Sequence, residues 1–179
     1  MIRLFVAIDL PKEIKDYFYS IQQAIIKKID TRETKIKWVA KKNFHQTIRF
    51  ISWVEENKLE EIREKLKKIK VNEFKAKLDC LSAYPTENNI RVIFVDMVAP
   101  EIFDIHKEVE EKLKGIGKDD AQFSTHLTLG RVKFCREKKR LSEILKNIKI
   151  EPKEFTLDGI KLFQSILTKE GPIYKEIDY

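Results

Sequence analysis

The chain echoes itself once, and that echo limits the folds open to it. An apolar run, Ile2–Leu10, leads into a segment of helical periodicity and then into a strand-like stretch carrying Phe44-His45-Gln46-Thr47-Ile48-Arg49-Phe50. Later Ile90–Val98 leads into a second helical segment and then into Thr125-His126-Leu127-Thr128-Leu129-Gly130-Arg131. Two copies are too few for a solenoid, whose stability comes from stacking many units. They suit two small lobes packed face to face, each a sheet covered by helices. The fold class expected is α+β: a bilobal, pseudo-twofold arrangement of two small antiparallel sheets with outer helices and a central cleft. Residues 1–179 are expected to form a single bilobal domain.

The elements can be read one by one. Pro11 closes the first apolar run and suits the first turn of a helix, where no amide hydrogen is needed. From Lys12 to Ile29, Ile14, Tyr17, Phe18, Ile21, Ile25 and Ile29 recur at three- and four-residue steps and make one apolar stripe. Leu59–Ile69, Ile102–Leu113 after Pro100, and Leu141–Ile148 after the basic cluster Arg136–Arg140 repeat that period, which predicts four helices. Extended segments rich in β-branched and aromatic residues lie between them: Ile36–Val39, Phe44–Val54, Phe74–Ala83, Ile90–Val98, Phe123–Phe134, Phe155–Leu167 and Tyr174–Ile177. Pro85–Asn89 supplies a turn, and no Gly/Ser-rich linker divides the chain.

Composition narrows the function classes. A chain of 179 residues with 42% hydrophobic side chains has enough apolar material for one sizeable core. The net charge of +7 favours anionic partners. No stretch approaches the roughly 18–20 apolar residues that span a bilayer, and Asp9 interrupts the N-terminus before a signal-peptide core can form. The expectation is a soluble protein of the cytoplasm with no membrane partner. Cys80 and Cys135 have no metal-ligand or redox-motif spacing and read as reduced structural residues. Abundant Lys, Glu and Ile with little Gln is a balance associated with heat-adapted proteins.

Two of only three histidines sit in matching tetrapeptides, His45-Gln46-Thr47-Ile48 and His126-Leu127-Thr128-Leu129. On a strand, residues two apart share a face, so each motif presents an imidazole beside a hydroxyl. Twofold-related lobes would bring the two pairs together. An imidazole titrates near neutrality, so one ring can accept a proton while the other gives one. Threonine hydroxyls and a nearby arginine can donate to phosphate oxygens where negative charge develops. Phosphate-ester chemistry is the natural use of such a set. Strict alternation turns Arg49 toward His45 and Thr47 but turns Arg131 away from His126, unless a bulge or strand end intervenes. No third His, Cys or carboxylate has ligand spacing near either motif, so neither a metal nor another cofactor is expected. His106 lies beside the apolar stripe of its helix and reads as a boundary or surface residue. Gln46, on the rear face, would need a partner or solvent, which suggests an incompletely buried strand.

These residues carry a resemblance. The paired His-x-Thr motifs some 80 residues apart, the start IRLFVAIDLP, the segments WVAKKNFHQTIRF and FSTHLTLGRVK, and the tail SILTKEGPIYKEI resemble the two-histidine phosphoesterases, in particular the RNA 2′,3′-cyclic phosphodiesterases once called 2′-5′ RNA ligases. The resemblance implies metal-free hydrolysis of a terminal 2′,3′-cyclic phosphate to a 2′-phosphate. It makes His45 the acid that protonates the departing 3′ oxygen and His126 the base that activates water, with Thr47, Thr128 and Arg131 holding the phosphate. It implies RNA ends, tRNA fragments among them, as partners, and the chain is expected to act as a monomer. Lys41 and Lys42, just before the first motif, could guide an RNA backbone. Phe44, Phe50, Trp53 or Phe123 could stack a base or could simply be core. Two alternatives stand beside this reading: reversible 2′-5′ joining of RNA ends, and a non-catalytic module that only binds nucleotides or RNA ends.

Overall fold

The computed structural model describes residues 1–86, 89–117, 123–169 and 171–179. Along the chain these form β1 (Ile2–Asp9), α1 (Lys12–Ile26), β2 (Thr34–Trp38), β3 (His45–Val54), α2 (Leu59–Leu66), β4 (Phe74–Thr86), β5 (Asn89–Val98), α3 (Glu101–Lys112), β6 (His126–Cys135), α4 (Lys138–Lys146), β7 (Glu154–Leu157), β8 (Lys161–Leu167) and β9 (Pro172–Ile177). The strands make two antiparallel sheets, ordered β3-β1-β8-β9 and β2-β6-β5-β4-β7. The order β3-β1-β8-β9 is matched place for place by β6-β5-β4-β7, with β2 added outside β6. β1–α1–β3 and β5–α3–β6 are therefore the two halves of the echo, and the pseudo-twofold α+β expectation holds.

The helices form where the apolar stripes lie. α1 buries Ile14, Phe18, Ile21 and Ile25, and the Phe18 ring meets Phe44 edge-on at 5.5 Å. α3 buries Ile102, Ile105 and Val109. β1 is covered on both faces. Leu4, Val6 and Ile8 join the helix-side core, while Phe5 and Ala7, also buried, alternate onto the cleft side. That double coverage is why β1 reads as a continuous apolar run rather than an alternating one.

Two expected strands change on folding. Phe155–Leu167 is not one strand: β7 joins one sheet and β8 the other, and the chain turns between them at Gly159, with φ +60°. Turn chemistry at Asp158-Gly159 interrupts what periodicity alone reads as continuous. Phe123–Phe134 enters its sheet only at His126. In the Pro85–Asn89 turn, Pro85 and Thr86 end β4 and Asn89 opens β5, while residues 87 and 88 lie outside the described residues.

Candidate active site

Two bulges, one in each motif strand, decide which side chains face the cleft. In the β1–β3 pair Ala7 opposes Thr47 and Val6 opposes Arg49, so Ile48 is an extra residue. In the β5–β6 pair Phe94 opposes Thr128 and Ile93 opposes Gly130, so Leu129 is extra. An inserted residue reverses the alternation beyond it. Arg131 is thereby returned to the face of His126 and Thr128. Arg49 is turned away from His45 and Thr47, which corrects the strict-alternation reading. It is fully buried, its Nε 3.0 Å from Glu110 Oε1, with Nη2 donating to the Ile116 carbonyl at 3.1 Å.

All five side chains singled out from the sequence, His45, Thr47, His126, Thr128 and Arg131, line one cavity of about 430 Å³. Lys37, Lys42, Phe50 and Tyr174 line it with them. The wall opposite Arg131 comes from β2, where Lys37 pairs with Arg131 and Trp38 with Gly130. Glycine at 130 lets that wall close in, since a Cβ there would lie 2.9 Å from Trp38 Cε3.

His45 is held at both nitrogens. Nδ1 lies 2.7 Å from the Asn43 carbonyl, which can only accept, so Nδ1 carries a hydrogen. Nε2 lies 3.0 Å from the Thr47 hydroxyl and, in the neutral ring, accepts from it. The ring packs against Phe5, centroids 5.0 Å apart, and edge-on to Tyr174 at 5.3 Å. Burial pushes the His45 pKa below its usual value, while the Asn43 carbonyl and the Asp9 charge oppose that shift.

His126 is anchored differently. Its Nδ1 lies 2.7 Å from the Ser124 hydroxyl, and its ring meets Phe94 at 5.4 Å. Asp96, paired with it across the sheet, accepts from Ser82 Oγ. Burial lowers the His126 pKa and Arg131 adds to the effect, while the Ser124 contact and Asp96 oppose it. Both shifts favour the neutral rings, beside cationic side chains suited to an anion. Burial also raises the Tyr174 pKa, so its hydroxyl stays a donor.

Several other residues sit differently from their sequence reading. Gln46 is buried, 1% exposed, rather than partly solvated, and its amide nitrogen donates to the Thr47 carbonyl at 2.8 Å. Lys41 is ion-paired with Asp16 and sits over the Tyr19 ring, so only Lys42 of that pair lines the cavity. Phe44 is core, whereas Phe50 is 45% exposed on the cavity. His106 is not a bare surface residue: its Nδ1 donates to the Ile48 carbonyl at 2.9 Å and its ring stacks on Phe123 at 4.0 Å. Lys37 and Tyr174 were not singled out from sequence. Their place follows from the β2–β6 and β8–β9 pairings, which no local pattern reveals. Among the described residues no group of three or more His, Cys, Asp or Glu side chains is placed to hold a metal ion, and no helix is long and apolar enough to cross a membrane.

Comparison with known proteins agrees with this geometry. The family described as LigT like Phosphoesterase matches residues 8–94 and 95–174. A protein named RNA 2′,3′-cyclic phosphodiesterase from Methanocaldococcus jannaschii is 38% identical over 177 residues, covering 98% of each chain. One of the same name from Archaeoglobus fulgidus is 33% identical over 178 residues, covering 98% of this chain and 97% of its own. The relatives come largely from thermophiles, in line with the Lys- and Glu-rich composition. Among solved structures, TT0787 of Thermus thermophilus superposes with a TM-score of 0.77 at 24% identity, covering 98% of this chain and 95% of that one. LigT of E. coli complexed with 3′-AMP superposes at 0.75 and 20% identity, covering 99% and 95%. These two share the fold.

Proposed function

The chain belongs to the LigT-like phosphoesterase family, and from that premise we propose that it hydrolyses RNA-terminal 2′,3′-cyclic phosphate to a 2′-phosphomonoester by two-histidine acid–base catalysis without a metal. The observation that carries this reading is the meeting of two imidazole–hydroxyl pairs, one from each lobe, in a single cavity that also holds Arg131. Two relatives more than 30% identical over nearly the whole chain bear the name of that activity.

The chemistry balances as follows. Neutral His126 takes a proton from water at Nε2, and the oxygen attacks phosphorus. The bond from phosphorus to O3′ breaks, and protonated His45 delivers its Nε2 proton to that oxygen, leaving a 2′-phosphate and a 3′-hydroxyl. Asn43 ties up the Nδ1 hydrogen of His45, so only the imidazolium has an Nε2 proton to give. A bound phosphate anion favours that cation and offsets the burial that opposes it. Thr47, Thr128 and Arg131 donate to the phosphoryl oxygens as charge accumulates. Phe50, a flat exposed ring on the same cavity, stacks the terminal base.

The whole chain works as one bilobal domain, because each lobe supplies half of the catalytic set, and it acts as a monomer. RNA ends, tRNA fragments included, are its substrates, and the cytoplasm is where it meets them. Replacing His45 or His126 by Ala should cost at least about a hundredfold in rate, measured on a short RNA ending in cyclic phosphate with a chelator present. Near wild-type rates in both variants, or loss of wild-type activity to the chelator, would overturn the mechanism.

A further inference from the structure

Each motif bulge is locked by a side chain from the other half of the chain. A bulge breaks the hydrogen-bond ladder and leaves its extra residue without a cross-strand partner. In β3 that residue is Ile48, and its carbonyl accepts from His106 Nδ1 at 2.9 Å. In β6 it is Leu129, skipped in the register with β5, and its carbonyl accepts from Gln22 Nε2 at 2.8 Å as well as from the Val39 backbone N–H at 2.9 Å. His106 belongs to α3, which follows β5, and Gln22 belongs to α1, which follows β1. The arrangement is reciprocal: the helix of one half fastens the bulge of the other.

Both side chains do more than cap a carbonyl. Gln22 is 2% exposed, and its amide also donates to the Val39 carbonyl at 2.9 Å, in the stretch that walls the cavity. His106 stacks flat on Phe123, rings 4.0 Å apart and 6° from parallel, three residues before His126. One contact of His106 therefore bears on the His45–Thr47 strand and the other on the approach to His126. Movement at either bulge would shift a His-x-Thr pair relative to its counterpart.

We propose that His106 and Gln22 are positioning residues that clamp the two bulges and so hold the imidazole–hydroxyl pairs in catalytic register. The proposal rests on the reaction assigned above. Misplacing reacting groups by about 1 Å costs about a hundredfold in rate, so loss of the clamp lowers kcat, and because Thr47, Thr128, Phe50 and Arg131 flank the same bulges it also loosens the hold on substrate.

The test uses His106→Phe, which keeps a ring over Phe123 but removes the donor, and His106→Gln, which supplies the amide donor that Gln22 provides at Leu129. His106→Phe should lower kcat at least about tenfold, and His106→Gln should restore most of it. Gln22→Leu provides the same test in the other lobe should His106→Phe fold poorly. Wild-type kcat in folded His106→Phe or Gln22→Leu would overturn the clamp. The imidazole resonances of His45 and His126 give a readout independent of turnover. They should move in His106→Phe and return in His106→Gln, and unmoved resonances would refute the clamp. A wild-type protein that leaves cyclic phosphate intact would refute the assigned reaction instead, with the resonances still judging the clamp.

Discussion

Phe50 and Arg131 occupy equivalent places in the two lobes. Each stands five residues after its motif histidine, each is returned to the cavity by the bulge between, and both line it. A nearly symmetric frame thus presents an apolar ring on one side and a guanidinium on the other. That asymmetry suits a nucleotide end, which is itself a flat base at one end and a charged phosphate at the other.

The two side chains should therefore fail in different ways. Phe50→Ala should weaken binding of a cyclic nucleotide by about 1–3 kcal/mol, the range for a base stacked on an aromatic ring, with kcat little changed. Arg131→Ala should lower kcat as well, since it removes a charge-assisted donor from the transition state. Steady-state kinetics on one short RNA separates the two, and equal kcat losses in both variants would count against the assignment.

Arg49 should behave as the opposite of Arg131. Its guanidinium is wholly buried and spent on Glu110 and the Ile116 carbonyl. Arg49→Leu leaves those acceptors without their partner, which costs about 3–5 kcal/mol in buried pairs. Urea unfolding should show that loss in Arg49→Leu and almost none in Arg131→Ala. Equal stability of the two variants would refute the division of labour.

The pH dependence follows from the two histidines. The proposed mechanism needs His45 protonated and His126 neutral in the free enzyme, and burial lowers both pKa values. The alkaline limb of kcat/KM should therefore fall below pH 6.5, the ordinary histidine value. In the complex the phosphate anion stabilises the His45 cation, so the alkaline limb of kcat should lie higher. Coincident limbs would contradict that coupling. Stability has its own sign. The unfolded rings bind protons from 6.5 downward and the folded rings only at lower pH, so stability is full above 6.5 and falls as pH drops toward the folded values.

A second irregularity in β3 gives a prediction about stability alone. Leu4 opposes Ser52 while Phe5 opposes Phe50, so Ile51 is the extra residue, and Ser52 beside it has φ +69°. An L side chain pays about 1–2 kcal/mol for that conformation, and glycine gives back part of the gain as unfolded-state entropy. Ser52→Gly should raise stability by about 0.5–1 kcal/mol in thermal or urea unfolding, with turnover unchanged. A destabilised variant would show that the hydroxyl, not the backbone, governs the site.

The two imidazole–hydroxyl pairs were legible because they are duplicated: His45-x-Thr47 and His126-x-Thr128 mark each other. The four helices were legible from their apolar stripes. Orientation beyond the motifs was not, because Ile48 and Leu129 look like ordinary alternating strand residues. Their status as inserted residues exists only in the register with β1 and β5. The same holds for Lys37 and Tyr174, whose partners are distant in sequence, and for β7 and β8, one apolar run split between two sheets. His106 looked like a boundary residue because its two partners, Ile48 and Phe123, lie on other elements.

The most direct test of the central claim is the position of the phosphate left on a short RNA after the wild-type protein has acted on its 2′,3′-cyclic end with a chelator present. The account requires gain of one water with the phosphate on the 2′ oxygen. A 3′-phosphate product would contradict His45 as the donor to O3′, and an unchanged cyclic end would contradict the catalytic reading of the cleft.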